Sequence, residues 1–229
     1  MAHTQVPPRP LRADAARNRA RIIDAAAEVF AERGLDVTLD DIAAHAGLGV
    51  GTVYRRFADR EALVEALFDE RMKAKIAKME AALAVPAEQA GDALITLMRE
   101  ICEDLARDRG LRQLMLSSTY GQNRIAHCRD EIREIVERLV ARAKATGELR
   151  ADFEATDVPV LFLMVGAIAD FATPVAPELW RRYFEMMVDG LRPGALKVSE
   201  CPQAPKAPKA LEHAELITAM DNWRPGALR

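Results

Sequence analysis

Apolar residues recur every three or four positions in one segment of this chain after another, the spacing of helices that each bury one face. Ile22, Ala26, Val29 and Phe30 predict a first helix from about Ala13 to Arg33, which Gly34 stops. Thr38-Leu39-Asp40-Asp41 reads as a capping box, because the Thr38 hydroxyl and Asp41 carboxylate can satisfy free backbone N–H groups. It opens a short helix, about Leu39 to Ala46, that buries Leu39, Ile42 and Ala43 before Gly47 turns the chain. Another short helix runs from about Val50 to Phe57. Asp59 then caps a long fourth helix with Val64, Phe68, Met72, Ile76, Met79 and Leu83 on one side.

The remainder is also helical. Prolines crowd the first ten residues, are then absent until Pro86, and afterwards fall between helical stretches. Pro86 opens a helix carrying Leu94, Leu97, Met98, Ile101 and Leu105. A short piece near Leu111 to Leu116 leads into a loop, and the next helix carries Ile125, Cys128, Ile132, Ile135, Leu139 and Val140. From Asp157 through Ile168 the chain is apolar nearly all round, which predicts a helix buried on most sides. A last regular helix runs from about Pro177 to Leu191. Residues 193–229 read as a flexible tail in which Gln203 to Ala210 repeats Ala-Pro-Lys, with one short helix predicted from Leu211 to Met220. Sustained apolar/polar alternation and hairpin turns are missing, so the fold is expected to be all-α.

Half of the 229 residues are hydrophobic and 29% are charged, enough for a real core and too polar for a membrane protein. The longest nearly uncharged apolar run, Val158 to Ala169, is too short to span a bilayer. The N-terminal residues lack the apolar stretch of a secretory signal, and three widely spaced cysteines fit reduced thiols, so a cytoplasmic location is expected. The net charge is −3, yet residues 1–60 hold nine arginines against eight acids. Any nucleic-acid site must therefore be a local basic face near the N-terminus.

Two short helices joined by a glycine turn, between two longer helices, form a helix-turn-helix. With Val53 and Phe57 turned inward, Gly51 lies about 160° and Arg55 about 200° around the helix from Val53. Tyr54 and Thr52 flank them. Such a surface suits DNA: glycine permits close approach, hydroxyls bond phosphates, and arginine can fork onto guanine. Arg60, in the first turn of the fourth helix, would add a phosphate contact beside that helix's positive end. Arg9, Arg12, Arg17, Arg19 and Arg21 add basic charge upstream.

The run Thr38-Leu39-Asp40-Asp41-Ile42-Ala43, then Ala46-Gly47-Leu48-Gly49-Val50-Gly51-Thr52-Val53-Tyr54-Arg55-Arg56-Phe57, then Asp59-Arg60-Glu61-Ala62-Leu63, resembles the DNA-binding domain of the TetR family of bacterial transcriptional repressors. The motif-level match covers about residues 14–70. The resemblance implies a homodimer joined by the last two helices of each subunit, a small-molecule pocket in the C-terminal helices, and a palindromic double-stranded operator. Carried over by position, Thr38, Gly51, Thr52, Tyr54, Arg55 and Arg60 match DNA-contacting residues. Gly49 stands where the family often has a serine cap, and Val50 where a polar base-reading residue is frequent. Val50 could pack on a thymine methyl.

The expected organisation is a flexible arm (1–12), a helix-turn-helix domain (13–58), a ligand-binding and dimerisation bundle (59–192) and the tail (193–229). Candidate pocket residues are Met98, Cys102, Tyr120 and Phe162, for a small apolar or amphipathic effector. Candidate interface residues are Val165, Ile168, Trp180, Tyr183, Phe184 and Met187. Gly47-Leu48-Gly49-Val50-Gly51 does not have dinucleotide-loop spacing, and His127-Cys128 lacks a second metal-binding pair. No catalytic constellation, cofactor or membrane partner is expected. The function expected is that of a sequence-specific, ligand-released repressor. The alternative is a helical binding protein or enzyme whose N-terminal unit is scaffold.

Overall fold

In a computed structural model that describes residues 10–116, 122–194 and 209–222, the first unit is α1 (Pro10–Arg33), α2 (Leu39–Ala46) and α3 (Val50–Tyr54). α1 begins at Pro10, earlier than its apolar stripe, because a proline at the first helical position gives up only an N–H that would be unpaired anyway. At the entry to α2 the Thr38 N–H donates to Asp41 Oδ2 at 2.9 Å and the Asp41 N–H donates to Thr38 Oγ1 at 3.1 Å. This is the capping box the sequence predicts. α2 ends at Gly47, whose φ of 61° is left-handed, and the Leu48 N–H reaches back to Ala43 O at 3.0 Å.

α3 stops at Tyr54, short of the predicted Phe57. The Arg56 and Phe57 N–H groups both bond Val53 O at 2.9 Å, so the last turn tightens before Asp59 straightens the chain to cap α4. α4 (Arg60–Leu83) joins the two halves. Leu63 and Val64 near its start complete the core with Ile22, Phe30, Ile42 and Val53, while Met72 and Met79 further along serve the second half.

A 3₁₀ turn (Ala87–Gln89) leads into α5 (Ala90–Arg107), followed by α6 (Arg109–Leu116), α7 (Gln122–Ala145), α8 (Asp157–Ala172), α9 (Leu179–Leu191) and α10 (His213–Asn222). Among the described residues there is no strand. α5 is the hub, packing on α4, α6, α7, α8 and α9 through a wide buried face that includes Leu94, Met98, Ile101 and Leu105. α6 ties the halves together a second time. Gly110 sits so close to Phe30 that an added Cβ would lie 2.8 Å from the Phe30 carbonyl oxygen. Gln113 Oε1 accepts from the Leu35 N–H at 2.7 Å, and buried Arg112 bonds Asp170 of α8 at 2.6 Å.

One expectation needs correction. α8 is not buried on most sides: Val158, Val165, Gly166, Ala169 and Ala172 are covered, whereas Met164 and Phe171 face outward. Its main neighbours are α5 and α9, which cover only one side of it. The short helix predicted at Leu211 to Met220 forms as α10, and it lies against the bundle with Leu216 buried.

The Thr38 hydroxyl, then the Thr38 N–H, then the nearby Arg33 charge hold the Asp41 carboxyl below its ordinary value of 3.8. A carboxylate favoured in the folded state stabilises fully above 3.8 and loses that contribution as pH falls through its lowered folded value. The melting-temperature gap between the wild type and Asp41→Asn is expected to be constant above about pH 5 and to close below it in acid. A pH series of thermal unfolding measures it, and a gap that widens in acid contradicts this assignment.

Candidate nucleic-acid interface

α3 has five residues, too few to hold a direction by itself. Val53, with none of its surface exposed, and Phe57, 5% exposed, fix its inner side. The opposite side carries Gly51, Tyr54 and Arg55, all exposed, with Val50 also outward and Thr52 half-buried. No heavy atom lies within 4 Å of where a Cβ on Gly51 would stand, so its backbone is open to a flat partner. Arg55 bonds Thr52 Oγ1 at 3.3 Å, a long contact that leaves the guanidinium easy to redirect.

The flanking residues are more engaged. Thr38 is exposed, and its hydroxyl also donates to Asp41 Oδ2 at 2.6 Å. Arg60 donates to Leu35 O at 3.0 Å, which draws the start of α4 against the segment entering α2. Arg19 pairs with Glu70 at 2.9 Å and lies over Phe57, Arg21 donates to Ala46 O at 2.8 Å, and Arg17 pairs with Asp14. Arg9 and the Arg12 side chain lie outside the described residues. The sequence alone did not single out Arg56, which donates to Ala15 O at 2.9 Å and so ties α3 to α1. Much of the basic charge on α1 thus brings the helices together, and the outward α3 face is left to Arg55.

The second feature is an apolar cavity of about 160 Å³ between α4, α5, α7, α8 and α10. Met98 and Phe162 line it, as the sequence suggests. Cys102 does not: it is fully buried in the core, and burial pushes its thiol up to about 12, which keeps it unreactive. Tyr120 lies outside the described residues. The lining also includes Lys75 and Arg133, each already paired, Lys75 with Asp104 at 2.5 Å and Arg133 with Glu137 at 2.9 Å. The buried Nε of Arg133 has no hydrogen-bond partner.

The predicted interface residues divide. Val165, Trp180 and Phe184 belong to the intramolecular core, where Trp180 and Phe184 meet edge-on with centroids 6.3 Å apart. Arg181 and Arg99 lie over these rings at 5.2 and 5.6 Å. Tyr183 is exposed, and Ile168 and Met187 are half-buried. The outward apolar face contains residues the sequence did not mark: Met164, Met186, Phe171 at 82% exposure and Val175 at 86%. Among the described residues, no helix is long and apolar enough to cross a membrane, and no group of His, Cys, Asp and Glu could hold a metal ion.

Comparison with known proteins places this geometry. The family model described as bacterial regulatory proteins, tetR family, matches residues 22–67. The model described as the C-terminal domain of SbtR-like transcriptional regulators matches residues 89–193. The solved structure of a TetR transcription regulatory protein from Mycobacterium vanbaalenii is 33% identical, with 80% of this chain and 100% of that one covered and a TM-score of 0.56. A TetR transcriptional regulator from Streptomyces coelicolor is 30% identical, with 77% and 99% covered and a TM-score of 0.53. The HTH-type transcriptional regulator TtgW of Pseudomonas putida is 45% identical over 60 residues, which is 26% of this chain and 45% of that protein. Two matched domains in order, and structural relatives covered over their whole length, carry the conclusion: the chain belongs to the TetR family of bacterial regulatory proteins and is a DNA-binding transcriptional regulator.

Proposed function

We propose that the protein is a homodimeric repressor that reads a palindromic operator with α3 and lets go when a small apolar molecule fills the cavity. The observation that carries the DNA side is the two-sidedness of α3, Val53 sealed beneath and Gly51, Tyr54 and Arg55 outside. Gly51 would bring the backbone onto the duplex, Thr52 and Tyr54 would bond phosphates, and Arg55 would swing off Thr52 to a base edge. Val50 would touch a thymine methyl, and Thr38 and Arg60 would meet phosphates at two converging helix ends. Two copies would engage half-sites roughly 34–36 Å apart.

Selecting bound fragments from random DNA tests this reading, because it returns the site, its symmetry and its spacing together. On that site Arg55→Ala is expected to cost about 1–3 kcal/mol and to relax base preference in gel-shift titrations. Unchanged affinity at every position removes Arg55 from the readout.

The second copy would cover the outward face of α8 and α9. Met164, Phe171, Val175, Tyr183 and Met186 form an apolar surface of a kind that soluble chains rarely leave open to water. Phe171→Glu is expected to shift the protein from dimer to monomer in sedimentation velocity at micromolar concentration. A wild type that sediments as a monomer overturns this assembly.

For the effector, the charges in the cavity wall already have carboxylate partners, so an ionic head would find no free countercharge. The orphaned Nε of Arg133 would favour a neutral molecule with an acceptor oxygen on an apolar body. Phe68, Met72 and Met79 carry the same cavity wall along α4 toward the DNA unit, and α6 grips α1 and α8 together. A molecule that fits better when these helices are displaced would lower operator affinity by its difference in affinity between the two states. Neutral N-phenyl-1-naphthylamine is expected to bind roughly tenfold or more tightly than its sulfonated analogue, 8-anilino-1-naphthalenesulfonate, in fluorescence titrations. The reverse order would mean an anionic effector.

A further inference from the structure

We propose that α10 is a lid on the cavity, one that closes over a neutral apolar ligand and holds it in place. This rests on reading the cavity as the effector site. α10 lies beyond residues 89–193, the span of the C-terminal family match. Leu216, Ile217 and Met220 fall at i, i+1 and i+4, one face of the helix, and all three line the cavity together with His213. Leu216 is buried there, while Glu212, Glu215 and Thr218 face outward. The helix start is closed locally, with the Glu212 N–H donating to Glu215 Oε2 at 2.9 Å.

Two physical points make this segment a lid. A ten-residue helix is marginal alone, so α10 is ordered by what its apolar stripe touches. The cavity stays open behind the seated helix, so α10 walls the space and does not fill it. A molecule in the cavity would therefore touch the bundle on one side and Leu216, Ile217 and Met220 on the other. Ligand and helix would hold each other in place, and that coupling is reciprocal.

Full-length protein and N-phenyl-1-naphthylamine test this directly. Saturating probe is expected to slow amide hydrogen exchange across residues 213–222 by roughly tenfold. The full-length double variant Leu216→Asp/Ile217→Ser is expected to bind the probe roughly fivefold to tenfold more weakly, mostly through faster release. Met98→Trp, which fills the cavity, serves as the reference variant. If Met98→Trp abolishes binding while the double variant and the α10 exchange show no effect, the lid is overturned and the cavity reading stands. Tighter binding by the double variant, or faster exchange of α10 with probe, makes the helix a competitor and overturns the lid. A probe that binds the full chain and Met98→Trp alike, or neither, overturns both.

Discussion

The burial of Val53 sets the direction of everything α3 presents. A helix of five residues closes very few internal hydrogen bonds, so its pitch and roll come from what lies beneath it. Here that is the core shared by Ile22, Phe30, Ile42 and Leu63, with Phe57 as a second anchor and Arg19 above the Phe57 ring. Three helices other than α3 therefore decide where Gly51, Tyr54 and Arg55 point. Close packing leaves little freedom for that choice, since a core altered by even a methylene must shift or strain to accommodate it.

Two rigid elements carry that constraint into the C-terminal bundle. α4 is continuous from Leu63 in the first core to Met79 in the cavity wall. α6 is short but strongly held: Gly110 brings its backbone against Phe30, Gln113 grips Leu35, and Arg112 spends its donors on Asp170 and on the Leu105 and Ala106 carbonyls. Leu35 is held through both of its backbone polar groups, its N–H by Gln113 and its carbonyl by Arg60. The turn between α1 and α2 thus belongs as much to the bundle as to the DNA unit.

Local chemistry made the N-terminal half legible in the sequence. Thr38, Gly47 and Asp59 mark helix ends by hydrogen bonds or by backbone angles that few other residues satisfy, and the structure uses all three that way. The outward side of α3 followed from helical geometry once Val53 was set inside. The later helices were harder for a physical reason. α8 is apolar all round, so its sequence has no period to say which side meets α5 and which meets water. Trp180 and Phe184 suggested an interface because a late apolar helix followed by an aromatic-rich one has few partners left within the chain, yet α9 turns them into the core and sends Tyr183 and Met186 outward. Cys102 shares a helix with Met98, but neighbouring helices cover the one and leave the other on the cavity. The sequence marks a short helix in the tail, but not where its Leu216, Ile217 and Met220 stripe would pack, because the cavity they line is not displayed in the sequence.

The face with Phe171 and Val175 has a consequence for gene dosage. If the proposed pairing covers this greasy surface, then while unpaired subunits predominate the supply of twins grows with the square of the amount synthesised. A bacterium that halves its output of such a regulator would leave only about a quarter of the former paired molecules to guard the promoter, a steeper response than any single chain could give.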